Sequence, residues 1–252
     1  DVVVVGAGPA GLPAAIEAAA QGLRVTVIDK ADRIGGTLWR SWGQLSAGGT
    51  SLQRRKGILD SPDLHFEDVM RISKNTADPG LVRLAVDHAP RTVEWLMAHD
   101  FDMDPDCPTV LHFHEAYLLP RTYWGRNAGR SILDVLAREF EKACAGSATL
   151  ELNTELVAIR VDGPDRVAGV TVRKPDGTLQ DIDAQVVIVT MAALALHLSV
   201  PNHLIPALTE FVPRWSSGWH YTGPFPVPLP LNVVDIDDAG RDEILTWGNR
   251  DF

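Results

Sequence analysis

The stretch Val2-Val3-Val4-Val5-Gly6-Ala7-Gly8-Pro9-Ala10-Gly11 decides the fold, because it packs a strand, a turn and a helix start into ten residues. Four consecutive valines present no polar face, the pattern of a strand buried on both sides in a parallel sheet. Residues 12–21 are then rich in alanine and run up to Gly22, so a helix is expected with a glycine at its C-cap. Residues 24–28 read as a second strand, and Asp29 closes it 18 positions after Gly11. Strand, glycine turn, helix, strand and terminal acid make a complete βαβ unit.

Each conspicuous residue of that unit has an expected task. Gly6 permits the tight turn off the strand, Gly8 lets the backbone approach a diphosphate, and Gly11 lets the helix pack closely on the sheet. The helix N-terminus supplies unpaired N–H donors and a partial positive charge to the anion. Asp29 is placed to accept hydrogen bonds from ribose hydroxyls. A terminal acid serves NAD and FAD alike, so the unit by itself leaves the dinucleotide open.

Further along, Ile34-Gly35-Gly36-Thr37 and Ser46-Ala47-Gly48-Gly49-Thr50 follow in quick succession. Two more glycine pairs so near the βαβ unit suggest a backbone that approaches a long ligand again. With Asp29-Lys30 and the segment Tyr123-Trp124-Gly125-Arg126-Asn127-Ala128-Gly129-Arg130, these motifs resemble the FAD-dependent fumarate reductase/succinate dehydrogenase flavoprotein superfamily. That group includes soluble fumarate reductases, tricarballylate and urocanate reductases, and ketosteroid dehydrogenases. The resemblance covers roughly residues 1–195.

It implies an α/β fold: a glutathione-reductase-like Rossmann FAD-binding domain with an inserted β-meander, over 1–195, and the start of a capping domain over 196–252. It also implies a set of cofactor contacts: Gly6, Gly8, Pro9, Ala10, Gly11, Asp29, Lys30, Gly35, Gly36, Thr37, Ser46, Ala47, Gly48, Gly49, Val157 near the adenine, and Thr190. Succinate dehydrogenases tether flavin through a histidine just ahead of the second glycine pair. Residues 40–44 here read Arg-Ser-Trp-Gly-Gln, so noncovalent FAD is expected. Two departures stand out: Met191-Ala192 where relatives carry Gly-Gly, and Tyr221-Thr222-Gly223-Pro224 where they carry Thr-Gly-Asp-Gly. Relatives also continue for about twice this length, through a substrate cap and a return segment that holds the reductases' proton-donating arginine. No general acid or base can therefore be named.

In the middle of the chain, Asp78-Pro79 marks a helix start, with Asp as N-cap and Pro at the first helical position. Leu81, Leu84, Ala85 and His88 recur at helical spacing, Pro90 is expected to break or kink the run, and Val93, Leu96 and Met97 continue an apolar face. His88 and His99 are expected on or beside that face as structural histidines. His112 and His114 have a spacing that suits a metal only if further ligands stand nearby. Residues 131–145 read as an amphipathic helix, 156–161, 167–173 and 179–182 as a meander with turns rich in Asp, Pro and Gly, and 186–189 as another buried parallel strand. The proline-studded stretch 200–252 reads as irregular, with His220 its one chemically interesting residue.

Composition narrows the function classes. At 252 residues, with 45% hydrophobic and 22% charged residues, the chain suits a folded globular protein. A net charge of −10 argues against nucleic acid or anionic membrane as the main partner. The basic run Arg54-Arg55-Lys56 is short enough for a solvated loop. Cys107 and Cys144 lack CxxC spacing, so two reduced thiols and a cytoplasmic location are expected, with no metal. No transmembrane segment is expected, and a chain that begins at Asp1 inside a strand looks trimmed at its front.

The leading expectation is hydride transfer between FAD and a carbon–carbon bond beside an electron-withdrawing group, with a small-molecule carboxylate or enone as substrate and an electron donor that the sequence does not name. The alternatives are another FAD class such as a monooxygenase or amine oxidase, a truncated non-catalytic fragment, and a NAD-binding module.

Overall fold

The computed structural model describes residues 1–110, 117–163, 166–190, 232–236 and 242–246. In chain order the elements are β1 (Val2–Val5), α1 (Gly11–Ala20), β2 (Val25–Ile28), a single 3-10 turn (Gly36–Trp39), β3 (Leu45–Ser46), α2 (Ser51–Arg55), α3 (Pro62–Ile72), α4 (Pro79–Ala98), β4 (Thr122–Tyr123) and α5 (Gly129–Cys144). Then follow β5 (Ala148–Glu151), β6 (Glu155–Val161), β7 (Val167–Arg173), β8 (Leu179–Asp183), β9 (Val186–Val189), β10 (Asn232–Ile236) and β11 (Asp242–Thr246).

The four valines of β1 are at most 4% exposed, because the strand is central in a parallel sheet of order β5-β2-β1-β9. Val2 to Val5 pair with Val25 to Ile28 on one side and with Val186 to Val189 on the other. On one face Val2, Val4 and Val27 pack with Leu12 and Ala15 of α1 and with Leu133, Leu136 and Phe140 of α5. On the other, Val3, Val5 and Ile28 meet Leu156, Val170 and Val172 of the antiparallel meander β6-β7-β8. Each fully buried valine contributes about 1.5 kcal/mol or more, enough to hold the sheet between its two layers.

Local chemistry explains the helix ends. Gly22 sits at φ +81 after α1, the left-handed conformation that suits a residue without Cβ. Ser61 caps α3 and Asp78 caps α4, each side chain accepting from the N–H three residues on and each followed by proline. Thr50 and Gln53 form a reciprocal capping box at α2.

Three sequence expectations are corrected. In α4 the buried residues are Val86, Val93 and Leu96, whereas Leu81, Leu84, Ala85 and His88 are exposed. The true inner stripe follows the seven-residue step from Val86 to Val93, and the helix continues through Pro90 without a break. The strand β9 is parallel as expected but not deeply buried: Val186 is 48% exposed, because β9 forms the sheet's edge among the described residues. Within the stretch expected to be irregular, β10 and β11 pair as an antiparallel ladder. Met191, His112, His114, His220 and residues 221–224 lie outside the described residues. Among the described residues, no helix is long and apolar enough to cross a membrane.

Candidate functional site: a glycine-built cofactor cradle

The turn after β1 is built by contacts that leave no room for side chains. A Cβ on Gly11 would lie 1.7 Å from the Gly6 carbonyl oxygen and 2.9 Å from Thr190 Oγ1. Thr190, at the end of β9, donates its hydroxyl to the Val5 carbonyl at 2.8 Å and so locks the strand end to the turn. Asp29 closes the other side: its carboxylate accepts from the Ala7 N–H at 2.7 Å and from the Ala31 N–H at 2.8 Å. The acid expected to meet a ribose is thus also the brace of the turn, and its remaining lone pairs stay available to hydroxyl donors.

Gly8 differs from its neighbours. A Cβ there meets only Gly36 Cα, at an ordinary 3.9 Å, so the space in front of Gly8 is not claimed by the protein. The N-terminus of α1 has no side-chain cap, and the N–H groups of Gly8, Ala10 and Gly11 have no acceptor among the described residues. Free donors at a helix N-terminus beside an open backbone suit a diphosphate. Pro9 and Ala10 are exposed on this rim, as are Lys30 and Thr37.

The second glycine pair is joined to the first turn: Gly35 donates to the Ala7 carbonyl at 2.7 Å. Its glycine requirement comes from the chain itself, since a Cβ on Gly35 would strike Leu133 and Trp39 at 2.6 and 2.8 Å. The third pair behaves alike, for a Cβ on Gly48 would lie 2.6 Å from the Ser61 carbonyl oxygen. At Gly35 and Gly48 the chain's own segments already require glycine, whereas at Gly8 no protein atom does.

A cavity of about 1230 Å³ has Pro9, Thr37, Leu45 and Gly49 in its wall, which brings the first turn and the later glycine segments to one space. Ser46 and Ala47 precede Gly48 in β3 and the following turn, with Ala47 fully buried. Val157 lies apart from that cavity wall, on β6, where the register shift between Leu156 and Ala158 leaves it without a partner on β7. A bulge of this kind aims a residue out of the ladder.

Behind the loop at residues 46–51 lies a polar network that the sequence reading missed. Arg121 is fully buried and grips Asp60 with Nε at 3.0 Å and Nη2 at 2.9 Å. Its Nη1 donates to Asp68 Oδ2 at 2.9 Å, and Asp68 also pairs with Arg71. Tyr123, buried beside them, shares a 2.6 Å hydrogen bond with Thr50 Oγ1, and its hydroxyl is pushed up to about 12 chiefly by burial. The capping pattern Thr50-x-x-Gln53 and the pair Ser61-Pro62 were signals for α2 and α3. Nothing in the spacing of Asp60, Asp68 and Arg121 announced that they meet.

His65 packs into the same cluster, edge-on to Tyr117, with Nδ1 unpaired among the described residues. Burial first, and then the Arg121 charge, push it down from the usual 6.5 to about 4, against the opposing pull of Asp60 and Asp68. A depressed histidine makes the unfolded chain the better proton binder between those values. The stability contributed by neutral His65 is complete above pH 6.5 and is lost as pH falls towards 4. Urea midpoints measured across that window should fall with pH, and His65→Phe should flatten the slope; an unchanged slope would remove this assignment.

His99 Nδ1–H donates to the Trp95 carbonyl, 2.7 Å away, and its ring stacks on the Trp95 ring. Cys107 is a free buried thiol pushed up to about 11 by burial, and Cys144 is free and exposed. Arg54, Arg55 and Lys56 are exposed and donate to nearby oxygens of the chain. No group of three His, Cys, Asp or Glu among the described residues is arranged to hold a metal.

Comparison with known proteins fits this geometry. Residues 1–213 match a family described as FAD binding domain. A "Fumarate reductase (cytochrome)" from Shewanella frigidimarina is 32% identical over 84% of this chain and 36% of its own length. An "NADH:fumarate oxidoreductase" from Klebsiella pneumoniae is 29% identical over 84% of this chain and 22% of its own. Among solved structures, the open conformation of a flavocytochrome c3 fumarate reductase superposes with a TM-score of 0.66 at 28% identity, covering 75% of this chain and 33% of the other. The chain spans about a third or less of the length of these relatives.

Proposed function

The chain belongs to the FAD binding domain family, and from that premise we propose that it holds FAD noncovalently as the cofactor-binding part of a flavin-dependent oxidoreductase. Residues 1–195 are the FAD-binding domain, and 196–252 begin a substrate cap. The observation that carries this reading is the open approach to Gly8 beside the uncapped N-terminus of α1.

Gly8, Ala10 and Gly11 donate N–H groups to the diphosphate, while Pro9 shapes the rim. Asp29 accepts from the adenosine ribose, with Lys30 beside it, and Val157 stands at the adenine. Gly35, Gly36 and Thr37 line the path onward, and Ser46, Ala47, Gly48 and Gly49 run beside the flavin, with Thr190 fixing the turn. When bound, FAD supplies the hydride chemistry, and the protein supplies position and electrostatics. The substrate class is a small carboxylate or enone whose carbon–carbon bond lies beside an electron-withdrawing group, a choice supported by the fumarate-reducing relatives.

The test is the visible spectrum of the purified chain titrated with FAD, with released cofactor identified by mass after denaturation. Flavin bands that redistribute on binding are expected, with all flavin released by acid. Gly8→Val is expected to fold, since only an ordinary contact stands in front of it, yet to weaken FAD binding at least ~100-fold by blocking the diphosphate. Tight FAD binding by that variant would defeat the assignment of the turn. A chain that takes up NAD and no flavin would favour the NAD alternative. Anaerobic reoxidation of the reduced, FAD-loaded chain by fumarate, set against a 3-keto steroid whose ring carries the conjugated double bond that accepts the hydride, tests the substrate class.

A further inference from the structure

The loop from Ala47 to Ser51 has five consecutive backbone N–H groups, and four of them are spent on protein acceptors. Ala47 donates to the Arg121 carbonyl at 2.9 Å, Gly49 and Thr50 to Gln53 Oε1 at 2.7 and 3.0 Å, and Ser51 to Glu94 Oε1 at 2.5 Å. The N–H of Gly48 has no acceptor among the described residues, although Gly48 is buried. A buried donor left unpaired costs about 1–3 kcal/mol, so a partner from outside the chain is the natural account of it.

What selects Gly48 is the base behind the loop. The Gln53 amide is fully buried and fully used: Oε1 takes two N–H groups, while Nε2 donates to Asp60 Oδ2 and to the Pro120 carbonyl, both at 2.8 Å. Asp60 cannot move, because Arg121 holds both of its oxygens. A capping box alone requires only the Thr50 contact, and α2 is a helix of five residues. Buried ion pairs are also poor sources of net stability, since desolvation offsets much of their attraction. Gripping a buried Arg–Asp pair onto a short helix is explained better by the precision it confers on the loop.

We propose that Gln53, anchored through Asp60 to Arg121, is a positioning residue that turns the loop so that the Gly48 N–H is its one donor left for the flavin. This rests on the FAD reading and deepens it, because Gln53 touches no cofactor itself. Its effect is transmitted through Gly49 and Thr50.

The experiment uses the full chain and FAD. Gln53→Met keeps length and volume but removes the acceptor for two N–H groups; it is expected to weaken FAD binding about 10-fold or more and to shift the visible band of bound flavin. Phe140→Leu, buried on α5, serves as the control that lowers stability without touching the loop. It should leave affinity and band position unchanged. Gln53→Glu keeps the acceptor but sets an oxygen against Asp60 and the Pro120 carbonyl, so it regains a donor only when protonated. Its FAD affinity should recover as pH falls, and this readout stands in if Gln53→Met does not fold. If wild type binds FAD while the Gln53 variants bind with unaltered affinity, band and pH profile, or change no more than Phe140→Leu, the positioning role is overturned and the FAD reading stands. If wild type takes up no FAD, both fall together.

Discussion

Gly11→Ala is expected to abolish FAD binding and to cost about 3 kcal/mol or more of stability, from one added methyl group. The reason is geometric: the new Cβ would lie 1.7 Å from the Gly6 carbonyl oxygen, which is backbone and has no rotamer to swing aside. Relief requires α1 to move away from the end of β1. That motion pulls against Thr190, whose hydroxyl holds the Val5 and Gly6 carbonyls at 2.8 and 3.2 Å. It also pulls Leu12 and Ala15 out of the central core. Contrast Gly8→Ala, where the Cβ meets only an ordinary contact, so its damage should fall on the ligand alone. Urea denaturation followed by circular dichroism, run beside FAD titration, separates the two. Equal stability of the Gly11 and Gly8 variants would refute this account of the turn.

Arg121→Met is expected to cost about 3–5 kcal/mol, because it leaves Asp60 and Asp68 buried without the cation that both share. The Asp60 side chain is 0% exposed and that of Asp68 only 2%, so neither finds water in exchange. Arg71 still pairs with Asp68 from the more open side and cushions one of them. Arg121→Lys keeps the charge but not the fork that spans both carboxylates, so an intermediate loss is expected. Since a domain of this size has only about 5–15 kcal/mol to lose, the methionine variant should denature at markedly lower urea concentration. A midpoint within error of wild type would mean that the cluster is not charged as drawn.

The βαβ unit was legible because its reasons are local. A run of valines, a glycine pattern and a terminal acid each act within a few residues, and β1, α1 and β2 fall within a residue or so of the expected bounds. The meander β6-β7-β8 was legible for the same reason, since its turns carry residues with strong local preferences. The face of α4 was misread because Leu81 and Leu84 follow helical spacing as well as Val86 and Val93 do. Spacing states that a helix has a stripe, but the partner decides which stripe is covered.

The candidate site divides along the same line. By itself, the sequence placed Gly6, Gly8, Gly11 and Asp29 about one turn, because a strand, a glycine turn and a helix start impose their geometry over a few residues. Only the tertiary structure decided why Gly48 is a glycine, because the backbone that excludes its side chain belongs to Ser61, and at Gly35 it added the distant Leu133 to the nearby Trp39. It alone brought Arg121 to Asp60 across 61 positions and placed Gln53 between that pair and the Gly49–Thr50 backbone. A buried charge is tolerated only where partners converge on it from several elements, and convergence in space leaves no periodic trace along the chain.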